Sequence, residues 1–555
     1  MTKTNGKPFP MKIKDLMYFI DENDRDFSRE IGGKNLVNPY LEAFMKEFSY
    51  EVPGETAYQP RLSLTFDDIA LMDLESDIRP DQVNVQSWFS RNVPVNTPVI
   101  SAAMDTVTEY GMAIAMAMCG GLGVVHKGGN MTPKEQARHV AGVKHYLHGM
   151  INKPKFFQET DTVEYLKKRV TEKGWKFTSF PVLDAERKVK GIITGTKLTF
   201  INKYDPSAKL EDVMRKEPFI TDTADIDEVY KEMRSREIKS VPVVDDNGVL
   251  RGLYVWEDVE RIVEGKSRIY NVDTDGMLRC AAAISPTLTE EEKQRIDLLV
   301  KEGIDVLVLD TSHANSREAV EAVKYIKETY KDSTDVVAGN LAYPAMVPAL
   351  IEAGVDGLKF GVGPGSICTT RTVSGVGVPQ ATVSHMANLM IQNGVPYNID
   401  GGLTKGADLS KAIAFGASTV MLGNKLAGTD ESPGRVVNIG DGKFVVYRGM
   451  ASVESLLAGK GAGQRYFMSE DTGDTGNIDI ANIVSQGDSG LVPYEGSVSS
   501  VVYKLVQGLR IGMAHTGARD IYEFQNKARA TMITDSGNNE SNVHDLMRTQ
   551  VTTAK

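Results

Sequence analysis

The sequence predicts an α/β protein: an eight-stranded parallel (β/α)8 barrel carrying an inserted module. Three observations point there. Short apolar runs alternate with amphipathic helical stretches, eight such runs occur, and the alternation breaks between 152 and 268 for a segment with an internal repeat.

Residues 1–60 mix aromatic, charged, Gly and Pro residues without sustained periodicity and are expected to form an extension packed on the surface. The first part of the barrel, 61–151, holds strand candidates at 97–101 and 121–125, followed by helical sequence at 112–118 and 133–147. Alternation resumes in 269–555. Strands are expected at 278–284, 306–310, 335–340, 357–363, 397–402 and 419–423, with helices at 290–302, 317–328 and 405–415 between them. Parallel strands joined by crossover helices account for this order, and two strands before the gap plus six after it close a barrel.

Within 152–268, Phe180-Pro181-Val182-Leu183-Asp184 followed by Lys190-Gly191-Ile192-Ile193 recurs as Val241-Pro242-Val243-Val244-Asp245 followed by Arg251-Gly252-Leu253-Tyr254. Both copies read as strand, turn, strand, preceded by amphipathic helices at 162–171 and 226–236. The copies divide near 208 and resemble a tandem pair of CBS modules. Such pairs bind adenine or guanine nucleotides. The Thr-x-x-Asp ribose pattern is incomplete, with Thr194 but Lys197 in one copy and Asp258 but Val255 in the other. A purely structural pair fits equally well.

Composition limits the function. A formal charge of −11 gives no general attraction for nucleic acid or anionic membrane. No apolar run reaches membrane-spanning length, and the N-terminus lacks the apolar stretch of a signal peptide. Three cysteines, Cys119, Cys280 and Cys368, make no disulfide framework, so a reducing, cytoplasmic setting is expected.

Chemistry concentrates in Gly361-Val362-Gly363-Pro364-Gly365-Ser366-Ile367-Cys368-Thr369-Thr370-Arg371, just past the sixth strand. Barrel enzymes keep catalytic residues at that end of the strands. A cysteine in a Gly-rich polar loop is a candidate activated thiolate. Cys119, in an apolar helix, and Cys280, in a strand, read as small core hydrophobes.

Gly-x-Gly-x-Gly-Ser-Ile-Cys-x-Thr resembles the catalytic loop of the IMP dehydrogenase/GMP reductase family. The resemblance runs from about Leu64 to His544 and includes Ser101–Glu109, Gly120–Lys127, Asp400-Gly401-Gly402 and Tyr447-Arg448-Gly449-Met450. It implies that Cys368 adds to carbon 2 of a hypoxanthine nucleotide, that hydride passes to NAD, and that water releases the xanthine product. By the same resemblance, Ser101, Ser366, Gly401, Gly402, Gly423, Asn424, Tyr447, Gly449, Met450 and Gln486 hold IMP, with Asp400 on the ribose. Asp310, Thr311, Ser312, Asn340, Gly361 and Gly363 would face NAD. Any one of these glycines alone is equally well a turn glycine, and Asp310 alone a helix cap.

Arg465-Tyr466 matches the family's water-activating pair on a mobile flap, here about 441–495, with Thr370 as a further partner. Carbonyls of Gly363, Gly365 and Cys368, with Glu540, Ser541 and Asn542 of a neighbouring subunit, match a potassium site and imply a homotetramer. Asn424, Ala451, Ala314 and Asn542 depart from the family's usual residues without removing a reacting group. GMP reductase, which deaminates GMP reductively with NADPH, is the nearest alternative, and its lack of the Arg-Tyr pair separates it. An inactive nucleotide-sensing barrel is the second, opposed by Cys368, Thr370, Asp310 and Asp400.

Overall fold

The computed structural model describes residues 38–50, 59–146, 150–151, 154–173, 175, 179–216, 220–221, 226–263, 269–391, 395–458 and 485–542. These divide into two compact units, one over 144–268 and 272–278 and one comprising the rest.

The second unit is a closed parallel barrel. Its strands are β1 (Val99–Ser101), β2 (Leu122–Val125), β3 (Ala281–Ile284), β4 (Val306–Asp310), β5 (Asp335–Leu341), β6 (Gly357–Phe360), β7 (Tyr397–Asp400) and β8 (Thr419–Leu422). Each pairs with the next, and β8 closes onto β1 through Met421↔Ile100. All eight expected strands are present, several shorter than the sequence suggested; the sixth ends at Phe360 rather than 363 because Gly361 turns the chain at φ 138°.

The helices that cover these strands are α1 (Tyr110–Met118), α2 (Pro133–Lys144), α3 (Glu290–Lys301), α4 (Arg317–Tyr330), α5 (Val347–Glu352), α6 (Gln380–Met390), α7 (Gly406–Ala414) and α8 (Val498–His515). Local sequence starts them. Thr289, Ser316 and Ser497 accept from backbone N–H groups of the first turns of α3, α4 and α8, and Glu290–Glu292 oppose the positive end of α3.

The barrel interior is packed, not open. Ile100, Leu122, Val124, Ala281, Ala283, Val306, Val308 and Val337 form one cluster with Phe89, Val93 and Val95 of a hairpin. Phe89 is fully buried, and its carbonyl would lie 2.9 Å from a Cβ at Gly357.

Three details differ from the sequence reading. The span 1–60 contains a helix, Pro39–Lys46, where Asn38 caps Tyr40 and Leu41 and the i, i+4 pair Leu41 and Met45 is buried. Two turns are too short to show periodicity. Cys119 caps the end of α1 and is only half-buried, and Cys280 precedes β3. The two ends of the span 441–495 join an antiparallel sheet, Gly442–Arg448 lying between Ser489–Pro493 and the preceding strand Val436–Ile439.

The other unit repeats one arrangement. Phe180–Leu183 pairs antiparallel with Val189–Ile193, and Ser240–Val244 with Leu250–Val255. The register slips at the same place in both, between Val182 and Leu183 and between Val243 and Val244. Gly191 and Gly252 lie opposite Val182 and Val243, where an added Cβ would strike Met214 and Met150. Each half has its own apolar cluster. Among the described residues, no helix is long and apolar enough to cross a membrane.

Candidate active site

A cavity of about 420 Å³ opens at the C-terminal mouth of the barrel. The segment 361–368 forms one wall. Gly361 can take its conformation only as glycine: a Cβ there would stand 2.2 Å from the Asp400 carbonyl. Gly363, at φ 81°, lets the chain pass the side chain of Arg371. The Arg371 guanidinium donates to the carbonyls of Val362 at 2.9 Å and Val378 at 2.5 Å, tying both ends of the loop. Its charge is spent on these carbonyls as well as lying near Cys368, and burial pulls its affinity for protons down.

Cys368 lines this cavity. Its Sγ lies 3.2 Å from Thr370 Oγ1 and 3.8 Å from the Gln486 carbonyl, while its N–H donates to Gly365. Thr369 N donates to Gln486 O and Asp488 N to Ile367 O, so 485–488 runs antiparallel beside the cysteine. The other cysteines lack such a setting. Burial and the nearby Glu431 push the Cys119 thiol up to about 11, and Cys280 is buried in the core.

A charged cluster closes the floor. Lys359, inward-facing on β6 and essentially inaccessible, donates to Asp310 at 3.2 Å, Asp400 at 2.8 Å and Asn340. Asn340 Nδ2 donates to Asp400 at 2.9 Å. Three expected contact residues from different strands thus form one network around a lysine absent from the expected set. Gln380, which donates to the carbonyls of Asp400 and Gly401 at 2.9 Å each, was also missed. A buried lysine inside Gly-Leu-Lys-Phe was the available signal, since charge in a barrel strand needs buried partners.

The opposite end is built from glycine and short polar groups. Gly401 and Gly402 have φ of 83° and 74°. Asn424 Nδ2 donates to Ser366 Oγ at 2.9 Å. A Cβ at Gly423 would sit 2.7 Å from the Tyr447 hydroxyl, whose proton affinity burial and the Asp400 charge push up. Gly449, Met450 and Gln486 complete this side, and Thr311 and Ser312 lie beside Asp310.

Ser101 does not line the cavity; it is fully buried, its Oγ 2.9 Å from Thr108 Oγ1. Glu540, Ser541 and Asn542 are exposed and are not brought to the 363–368 loop within this chain. Arg465 and Tyr466 lie outside the described residues. Among the described residues, no group of three His, Cys, Asp or Glu could hold a metal ion. The loop carbonyls of Gly363, Gly365 and Cys368 are neutral donors, the kind a monovalent cation takes.

A cysteine at the mouth of a closed barrel, over a floor of paired carboxylates, defines a (β/α)8-barrel enzyme with its chemistry at the strand ends. Comparison with known proteins makes this particular. The model of the IMP dehydrogenase/GMP reductase domain matches residues 63–544, and the chain belongs to that family.

Inosine-5'-monophosphate dehydrogenases of Aquifex aeolicus and Bacillus subtilis are 40% and 39% identical over 492 residues, 88% of this chain and 96% of each relative. Among solved structures, GMP reductase from Trypanosoma brucei in complex with guanosine 5'-monophosphate superposes with a TM-score of 0.77 at 35% identity. That match covers 88% of this chain and 98% of the other.

Proposed function

We propose that this protein oxidises IMP to XMP with NAD through a covalent intermediate on Cys368. The observation that carries the reading is the placement of Cys368 in one cavity with Asp400 and Asp310, the groups expected on the two ligands. The Cys368 sulfur adds to carbon 2 of the purine, which makes that carbon tetrahedral and a hydride donor. NAD accepts the hydride. Water then attacks the thioimidate, so IMP, NAD and water give XMP, NADH and a proton. Thr370 Oγ1, 3.2 Å from the sulfur, is placed to exchange a proton at that atom.

Glycine backbones at 401, 402 and 423, with Ser366 and Asn424, suit the phosphate; Asp400 suits the ribose hydroxyls. Asp310, Thr311, Ser312 and Asn340 supply a carboxylate, hydroxyls and an amide, a set that fits a second polar ligand such as the nicotinamide half of NAD. Carbonyls at 363, 365 and 368 would hold potassium from one side. The exposed position of 540–542, outside the cavity lining, is compatible with a second subunit supplying the rest, and the resemblance makes the assembly a homotetramer. The repeated unit is read as a CBS pair. Thr194 Oγ1 already caps Lys197 N, which supports weak or one-sided nucleotide binding. Three cysteines in the whole sequence, too few for a disulfide framework, support a cytoplasmic setting.

GMP reductase is the second reading, favoured by the Trypanosoma brucei structures. Arg465-Tyr466 in the sequence speaks for hydrolysis and against it. Following absorbance with IMP and NAD, then with GMP and NADPH, decides. NADH formation is expected in the first mixture; NADPH consumption in the second, with no NADH formed in the first, would reverse the assignment.

A further inference from the structure

The nucleotide end of the cavity depends on a segment, Tyr447–Met450, that does not belong to the barrel sheet. Arg448 pairs with Ser489 at the end of its strand. One residue later Gly449 donates to the Asp488 carbonyl, and a Cβ on Gly449 would lie 3.0 Å from Asp488 O and 3.3 Å from Ile367 O. This is where the strand crosses the cysteine loop, so a small shift of 447–450 is felt at both nucleotide and sulfur.

The turn after β1 grips this segment residue by residue. Tyr447 Oη donates to Met104 Sδ at 3.6 Å, Arg448 Nη2 stands 2.5 Å from Asp105 Oδ2, and the Arg448 N–H donates to Thr106 Oγ1 at 3.1 Å. The turn is closed on itself, with Thr108 Oγ1 donating to the Ala102 carbonyl at 2.7 Å and Thr108 N and Val107 N to Met104 O, and it is tied to β8 by Ala102 N donating to Leu422 O at 3.0 Å. The Asp105 side chain is 6% exposed, against 29% for that of Arg448.

The pair is half-made. Asp105 Oδ1 and Arg448 Nε are both buried without a partner. A guanidinium and a carboxylate ordinarily meet through two parallel bonds, and buried charged atoms left unpaired are costly. The bonds that are made, from the Arg448 side chain to Asp105 and from its backbone N–H to Thr106, tie residue 448 to the turn at two points. The contact therefore restrains where Tyr447–Met450 sits.

We propose that Asp105 is a positioning residue that, through its ion pair with Arg448, holds Tyr447, Gly449 and Met450 at the nucleotide end of the cavity and so sets affinity for the purine nucleotide. The proposal rests on the reading of that cavity end as the nucleotide site. It assigns Asp105 no contact with substrate.

Calorimetric binding of IMP to the full chain, with KM and kcat, tests it. Asp105→Ala and Arg448→Ala should each raise the Kd and KM about tenfold, with kcat at saturating IMP within about threefold. The double variant should bind no worse than the weaker single, because the two changes remove one shared interaction. If alanine impairs folding, Asp105→Asn and Arg448→Lys are read the same way. Unchanged Kd with only a lowered Tm, or single effects that multiply in the double variant, would overturn the latch. Failure of the unaltered protein to bind either IMP or GMP would overturn the cavity assignment on which it stands.

Discussion

The ammonium of Lys359 lies 2.8 Å from Asp400 Oδ2 and 3.2 Å from Asp310 Oδ1. One buried cation thus joins the carboxylate expected on the nucleotide ribose to the carboxylate expected on NAD. Without it the two acids would lose the cation they share, and breaking a buried pair costs roughly 3–5 kcal/mol. Lys359→Met should therefore raise KM for IMP and for NAD together, whereas Asp400→Asn should act mainly on IMP. Steady-state titration of each ligand, with denaturant midpoints, checks this; an effect of Lys359→Met confined to one ligand would separate the two sites.

The three cysteines should differ in reactivity. The thiolate is the nucleophile, and a thiol pushed up to about 11 by burial, as at Cys119, holds very little thiolate near pH 8. Iodoacetamide at that pH should label Cys368 first, IMP should protect it, and Cys119 should gain label only as pH rises toward 11. Peptide mass spectrometry reads the order. Cys368→Ser should abolish turnover yet leave IMP binding within about tenfold, since phosphate and ribose contacts remain. A serine variant keeping more than about a tenth of the activity would exclude the covalent route.

The barrel was legible because its strands are short apolar runs between glycines, and burial on both faces leaves little else to read. Cys368 stood out because a Gly-rich loop has no packing reason for a thiol. Lys359 did not, because a single lysine between Leu358 and Phe360 shows its partners only when Asp310 and Asp400, far apart in sequence, meet at the barrel floor. Asp105 and Arg448 are the same case, separated by 343 positions. Glu540–Asn542 are exposed and do not line the cavity of their own chain, as expected of residues assigned by resemblance to a neighbouring subunit. Motifs report local geometry; pairings between strand ends require the fold.

His385 gives a pH dependence. It is buried in α6, and burial, with a lesser contribution from Lys46, pushes it down to about 4. An unfolded histidine titrates near 6.5. As pH falls between those values the unfolded chain takes up a proton that the folded chain refuses, so stability falls with pH. The loss is roughly 2 kcal/mol between pH 7 and pH 5 for this group. His385→Gln should flatten that slope relative to the parent protein. Denaturant midpoints at both pH values measure it; parallel slopes would exclude His385 as a source.

Excising the repeated unit tests its independence. Its two apolar clusters, around Phe180 and around Val241, draw only on residues between 157 and 263. Replacing 152–268 with a short Gly/Ser linker removes the partners of Met150–Ile151 but keeps the Lys144–Asp273 pair, 2.7 Å apart, at the junction. The shortened protein should stay soluble and keep turnover within a few-fold. A soluble, correctly assembled deletion protein without activity would show that the unit completes the site.

The most discriminating test addresses Arg465, which the sequence places in the pair expected to activate water. If Arg465 acts only in hydrolysis, Arg465→Ala leaves hydride transfer nearly intact. In single-turnover mixing, NADH should rise in a fast burst and then stall while the Cys368 adduct accumulates. Base catalysis contributes about a hundredfold to ten-thousandfold, so the stall is easily resolved. Intact-protein mass spectrometry should show the adduct and its slow loss. A reductase has no such hydrolytic step, and its variant would show no stalled oxidised adduct. If Arg465→Ala slows the burst as much as overall turnover, Arg465 serves nucleotide binding or folding, and the sequence argument against a reductase loses its main support.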